Sequence, residues 1–364
     1  MPGPTKTQFV LVEVAAAAVL GGYAINPVCY FVGIGVAVVL LVLALVPLDR
    51  RWLYQVLGSR WALLRRGRAA RRGGRQGLAG LLGDYTIERI EGRRGGSDVA
   101  VVRSGSTWTL PLVLTLDGVV NDDAAVPLDL LAGLLTVEGV PMSSVRLFTL
   151  STPATTVSQA PAGPGSPLPR LVARYCLLTL DTRRAASAIT QRGATEAAIG
   201  QIMRRCAVHT EQVMATADVG VRRLDEAGVA ALFGTWMGPV APRSGHRAAT
   251  SEETRRDVRV DGTWSTVFAV SGSGPDVASR VARLAAAAPT PVVATCLVLR
   301  PAARGGVAAS MLVRMSAPDD RPPLDAYNSL SVLAPAYDLV MQRADGEQAP
   351  LLLATTPLGV GERV

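Results

Sequence analysis

The chain has 364 residues, is 49% hydrophobic and carries a net charge of +8, with a mean hydropathy of +0.29 that is high for a purely soluble protein of two domains. The whole charge excess lies between residues 49 and 83, where Arg50, Arg51, Arg60, Arg65, Arg66, Arg68, Arg71, Arg72 and Arg75 face a single acid, Asp49; the rest is neutral, so the pI near 9.8 is not a nucleic-acid signature of the body. Lys6 is the only lysine, and His209 and His246 are the only histidines, which excludes a P-loop or Schiff-base lysine in the body and a multi-histidine metal site.

The first elements are two apolar runs. Residues 9–25 are apolar apart from Glu13, and residues 28–46 contain no charge. At about 1.5 Å per residue they reach roughly 26 and 28 Å, close to a hydrocarbon core of about 30 Å. Asn26-Pro27 marks a tight turn and Pro47 closes the second run, so the expectation is a transmembrane hairpin over 1–48. A cleaved signal peptide fits less well, because a second span follows at once. A buried hairpin of a soluble protein is disfavoured by the charge-free length. Gly21, Gly22, Gly33 and Gly35 offer close helix approach. Glu13, near the inner end of the first span, either snorkels to the interface or pairs with a neighbouring helix; a proton relay is the third reading.

Residues 49–83 follow as a basic juxtamembrane segment. Leu53, Val56, Leu57, Trp61 and Leu64 recur at helical spacing, flanked by Arg50, Arg51, Arg60, Arg65 and Arg66, with Trp52 and Trp61 as interfacial aromatics. This is the pattern of an amphipathic helix on anionic lipid. Residues 67–77 turn Gly/Arg-rich and read as a flexible linker; an RNA-binding RGG segment is the weaker alternative. By the positive-inside rule, nine arginines after the second span place the body, and with it the N-terminus, in the cytoplasm.

From residue 84 the chain reads as a mixed α/β (α+β) body in two lobes, 84–240 and 241–364. Residues 98–116 form a strand pair and 127–139 a short helix, with a strand at 145–151. Residues 152–170 are a Pro/Gly/Ser/Thr-rich excursion. A strand at 174–181, two helices across 182–215, a strand at 219–225 and a helix from 226 complete the first lobe, and 238–257 is the junction. The second lobe has a strand at 263–272, a helix at 275–288, strands at 291–301 and 306–317, a helix at 323–337 and a final hairpin-like pair. No repeat is visible beyond this alternation of strand and helix.

The chemistry-bearing motifs are few. Residues 271–276 (SGSGPD) lie between a strand and a helix and are the best phosphate-cradle candidate, although a plain helix cap accounts for them as well. Cys206 and His209 are a lone i, i+3 pair, short of a metal site. Asn121-Asp122-Asp123 and Asp319-Asp320 read as solvated turns. Cys29, Cys176, Cys206 and Cys296 are scattered without a CxxC, which fits a reduced, cytoplasmic body. No GxSxG elbow occurs. No catalytic, metal or cofactor site is expected.

One family shares this layout. The segments Tyr175-Cys176-Leu177-Leu178-Thr179-Leu180-Asp181, Arg192-Gly193 and Val221-Arg222-Arg223-Leu224-Asp225, with Trp264 opening a later strand, resemble EccE, a membrane component of the ESX (type VII) secretion system of actinobacteria. Thr182 and Ala194 stand where the family often has Pro and a further Gly, so the chain resembles a divergent member. The resemblance implies a non-catalytic structural subunit at the edge of a plasma-membrane complex, beside EccB-, EccC- and EccD-like subunits and a mycosin protease, with no nucleic acid. The competing reading is a membrane-anchored enzyme or nucleotide-binding regulator built on residues 271–276.

Overall fold

The computed structural model describes residues 6–48, 51–73, 81–92, 98–116, 126–153, 170–236, 251–272, 274, 276–288, 290–302, 305–318 and 324–358. The chain divides into two compact units, Met1–Arg72 and Gly73–Val364.

The first unit is helical. α1 (Lys6–Ile25) and α2 (Pro27–Leu45) form a hairpin, and the carboxamide oxygen of Asn26 accepts the Cys29 N–H at 2.8 Å, capping α2 with Pro27 at its first position. A two-residue pair, β1 (Pro47–Leu48) with β2 (Arg51–Trp52), leads to α3 (Leu53–Gly73). The flexible linker expected from residue 67 is corrected here, because α3 runs on through Gly73. Arginine is a strong helix former and offsets the isolated glycines.

The second unit is a mixed α/β body around one large antiparallel sheet. Its elements are β3 (Thr86–Ile90), β4 (Val99–Ser104), β5 (Thr107–Leu116), α4 (Leu128–Gly133), the small pair β6 (Thr136–Val137) and β7 (Val140–Pro141), β8 (Ser144–Pro153), β9 (Arg170–Asp181), α5 (Ala186–Thr190), α6 (Glu196–Ala215), β10 (Val219–Arg223) and α7 (Glu226–Thr235). Then come β11 (Ser251–Glu253), β12 (Val258–Val260), β13 (Thr263–Gly272), α8 (Val277–Ala286), β14 (Val292–Pro301), β15 (Val307–Pro318), α9 (Leu324–Leu333), a 3-10 turn (Ala334–Tyr337), β16 (Leu339–Arg343) and α10 (Gln348–Ala354). The last described elements are thus a strand and a helix rather than a hairpin. The Leu351-Leu352-Leu353 run has no alternation to separate strand from helix.

The sheet order is β11-β12-β13-β15-β14-β8-β9-β5-β4-β3, with β10 also on β5 and β16 also on β13. The two stretches read as lobes therefore share one sheet, joined where β8 pairs with β14. One apolar cluster spans both stretches on one face, carrying Leu131 of α4, Ile189 of α5, Ile202 of α6, Leu284 of α8 and Leu330 of α9. The other face holds α10 through Leu351 and Leu352 and α7 through Val229 and Leu232. Alternation along β5 sorts the faces: Trp108, Leu110, Leu112 and Leu114 point to the first, Val113 to the second.

The two stretches are built alike. β5 and β13, β8 and β14, β9 and β15, and β10 and β16 match in length and in partners. Each half runs hairpin, helix, antiparallel strand pair, helix, short strand back onto the long one, and a helix on the opposite face.

Candidate functional site

The hairpin of α1 and α2 buries its small residues. Gln8, Ala15 and Gly22 recur every seven residues on α1, facing Gly33, Ala37 and Ala44 of α2. A Cβ on Gly22 would come within 2.5 Å of the Cys29 carbonyl oxygen, and one on Gly33 within 2.4 Å of the Ala18 oxygen. Only glycine permits that approach. Of the four glycines expected at a packing face, these two make the seam, while Gly21 and Gly35 face open space. The Gln8 carboxamide donates to the Ala44 carbonyl at 2.8 Å, closing the far end.

The large apolar side chains point away from the seam. Leu20, Tyr23 and Phe31 are 69, 76 and 72% exposed, and Phe9, Val28 and Val32 behave alike. In water this band would be unfavourable by about 25 cal/mol per Å². Both helices are long and apolar enough to cross a membrane. Glu13 lies off the seam, on the exposed side of α1.

On α3, Leu57, Trp61 and Leu64 form an exposed stripe, and Arg60 and Arg65 beside it are exposed as well, with Arg66 half-buried. Trp52 is half-buried at the helix start, where its backbone N–H donates to Gln55 Oε1 at 3.1 Å. Arg50 lies outside the described residues, and so does the Arg51 side chain. Over 53–66, apolar groups and cations share the exposed surface.

The motifs in the body fall partly within the described residues. Around residues 271–276, Arg280 of α8 is drawn to the carboxylates of Asp276 at 3.5 Å and Asp338 at 3.8 Å. Two acids beside the strand-to-helix turn disfavour a phosphate there; Ser273 and Pro275 lie outside the described residues. Cys206 is buried and His209 half-buried on α6, and among the described residues no three His, Cys, Asp or Glu gather as metal ligands. Burial pushes the thiols of Cys176 and Cys206 up to about 12 and that of Cys296 up to about 11, the behaviour of packing cysteines rather than nucleophiles. Asn121-Asp122-Asp123 and Asp319-Asp320 fall outside the described residues.

The segments that carry the family resemblance occupy central places. Tyr175 to Asp181 run along β9, with Cys176, Leu177, Leu178 and Leu180 buried. Arg192 donates to the Ala188 carbonyl at 2.9 Å and the Glu138 carbonyl at 3.1 Å, and Gly193 takes a left-handed φ of 104° just past α5, so Arg-Gly terminates that helix. Asp225 caps α7 by accepting the Gly228 N–H at 2.8 Å. Trp264 lies beneath the Arg259 guanidinium at 5.6 Å.

Compared with known proteins, the chain matches no family model and no curated relative.

Sequence reasoning missed three interior polar residues: Arg146 of β8, Arg314 of β15 and Gln348 of α10, which are 1, 0 and 0% exposed. The first two were legible in principle. In SVRLFTL and SMLVRMS the arginine stands between apolar neighbours at i±1 and has one apolar neighbour at i±2, Phe148 or Leu312, and a strand buried on both faces leaves it nowhere to go but inward.

Proposed function

We propose that this chain is a structural subunit of a plasma-membrane type VII (ESX) secretion complex, anchored by α1 and α2 and bracing its neighbours through the body. The observation that carries the reading is the order of parts. Two apolar helices come first, then an arginine-rich amphipathic helix, then a body whose central strand and helix stop hold the EccE-like segments. The nine arginines after the second helix favour a cytoplasmic N-terminus and body, with α3 on the anionic inner leaflet. The partners are EccB-, EccC- and EccD-like subunits and a mycosin-type protease, with ATP hydrolysis supplied by one of them and not by this lysine-free body.

The acids beside residues 271–276 speak against the nucleotide-binding alternative. Gentle detergent extraction should recover the chain in a large membrane assembly, and a free monomer that binds ATP would overturn the scaffold reading. For the orientation, a Ser104→Cys variant should react with a membrane-impermeant maleimide only after the membrane is opened. Labelling of intact cells would invert the topology.

A further inference from the structure

The strand registers show that the likeness of the two halves reaches single residues. Laying β4–β5 over β12–β13 puts Thr107-Trp108-Thr109 on Thr263-Trp264-Ser265 and Arg103 on Arg259. In both halves the arginine stacks over the tryptophan, at 5.3 and 5.6 Å. β9 over β15 puts Thr179 on Ser316, and the cross-strand hydroxyl pair recurs: Thr109 with Thr179 at 3.4 Å, Ser265 with Ser316 at 2.8 Å. β10 over β16 puts Arg223 on Arg343, each ion-paired. The residues before these strands, Asp218 and Asp338, share a left-handed φ of 54° and 52°. No fixed period exposes this in the sequence, because three connections of the first half are longer than their counterparts: 117–143 against 273–291, 154–169 against 302–306, and 182–218 against 319–338. The Pro/Gly/Ser/Thr-rich excursion falls in 154–169.

We infer that the body is a fused tandem duplication whose halves are clasped to each other by a reciprocal pair of buried arginines. Arg314, in the second half, donates Nη2 to the carbonyl of Trp236, which closes the C-terminal end of α7 in the first half, and stacks over that indole at 4.5 Å. Arg146, in the first half, donates Nη1 at 3.4 Å to the carbonyl of Ala354, the last residue of α10 in the second half. α7 and α10 are equivalent helices, so each half's guanidinium closes the other half's helix. The C-terminal carbonyls of a helix lack intrahelical donors and carry partial negative charge, which offsets the cost of burying the cation.

The registers place the two arginines on one level of the sheet. Arg146 pairs with Leu177, and at the equivalent site Ala294 pairs with Arg314, so each half holds one arginine on alternate members of the same strand pair. Phe148 and Cys296 are both equivalents and direct partners, marking the pseudo-twofold axis between the arginines. The segments after the helices cross as well. Trp236 packs with Val258, Val260 and Leu351 of the second half, while Leu358 packs with Val102, Val229 and Phe233 of the first and accepts the Thr109 hydroxyl at 2.9 Å.

Hydrogen exchange on the full-length protein in lipid nanodiscs tests the clasp. Arg146→Met should raise exchange about tenfold in 348–358, in the half that does not contain it, and Arg314→Met should do the same in 226–236. The Lys variants should show the same crossed pattern more weakly. Loosening confined to the half that carries the substitution, or no change, would overturn the inference. Should the Met variants fail to fold, the wild type decides in rising urea. One common opening energy for the two helices supports the clasp, and two separate openings refute it.

Discussion

The hairpin and the body solve packing in opposite ways. In the hairpin the buried seam is Gly22, Gly33, Ala15, Ala37 and Ala44, while Leu20, Tyr23 and Phe31 face outward. In the body Trp236, Phe148 and Phe268 are buried within 2% exposure. The difference is the one that two solvents, water for the body and lipid for helices able to cross a membrane, would produce. Water drives large apolar groups inward, whereas among lipid tails they gain nothing by hiding, and close backbone contact through small residues decides association.

Opposite substitutions should therefore damage the two units. The largest effect belongs to the body: Trp236→Ala removes a fully buried indole and the platform under Arg314, and should cost about 3–5 kcal/mol, read as a lowered urea midpoint. Leu20→Ala in the hairpin, an equally apolar truncation at an outward position, should leave the midpoint unchanged. If both variants lose equally, the hairpin packs like a soluble core and the contrast fails.

Alkaline pH should separate the units next. Above pH 9 an unfolded chain releases its thiol protons, whereas Cys176 and Cys206, pushed up to about 12, and Cys296, up to about 11, hold theirs in the fold. The native state then binds more protons than the unfolded one, so stability present below pH 9 falls as pH rises toward 11 and 12. Arg314 works the other way: burial lowers it to about 9, so the cost of burying its charge is relieved as pH rises above 9. Three thiols outweigh one guanidinium, and the body's urea midpoint should drop between pH 8 and 10 while the hairpin stays helical by circular dichroism. A Cys176→Ala/Cys296→Ala variant should flatten the drop.

The seam inverts the rule for size. Gly33→Ile would force the Ala18 carbonyl aside and should cost about 1–3 kcal/mol of helix association, read as lost disulfide cross-linking between cysteines placed at positions 8 and 44. Gly35→Ile, with open space around it, should cross-link like the parent. Equal loss in both would mean that the seam does not hold the hairpin.

A finer comparison runs between the halves of the body. β5 is flanked by β4 up to Thr109 and by β10 from Leu112, leaving a gap, and β13 has the same gap between Ser265 and Phe268. In the second half Gln348 fills it, accepting the Val267 N–H at 2.8 Å and donating to the Val267 carbonyl at 3.2 Å. The equivalent residue in the first half is Pro111, which has no N–H to satisfy. Gln348→Leu should therefore cost about 1–3 kcal/mol by stranding the Val267 N–H, while the carbonyl keeps the Ala344 N–H at 3.4 Å, seen as faster exchange of the Val267 amide. A silent Gln348→Leu would show that the two halves do not share the problem.

Much of this fold is legible in the sequence where period and punctuation agree. The strand at 263–272 is found to the residue and the helix at 275–288 to within two, because alternation, then Gly-Ser-Gly-Pro, then a 3.6-residue stripe leave one reading. What stays hidden is non-local. Nothing near Arg146 or Arg314 announces that a helix end lies over it, since Ala354 and Trp236 are distant in sequence. The repeat is hidden by three connections of unequal length and by drift of all but a few residues. The exposed stripe of α3 was legible because Leu57, Trp61 and Leu64 are local, though its continuation to Gly73 was not, since glycines masked a run of strong helix formers.

The smallest effect tests that stripe. If α3 rests on an anionic leaflet, Arg60→Gln and Arg65→Gln should each weaken binding of a 53–73 peptide to phosphatidylserine vesicles by about 1 kcal/mol, and the loss should vanish as salt shortens the Debye length from about 10 Å at 0.1 M to about 3 Å at 1 M. Trp61→Ala should weaken binding at both salt concentrations, because burial of the indole is apolar. The two signatures separate charge from insertion on one helix. A peptide that stays coil on these vesicles, or binds neutral ones equally well, would remove α3 from the anionic leaflet.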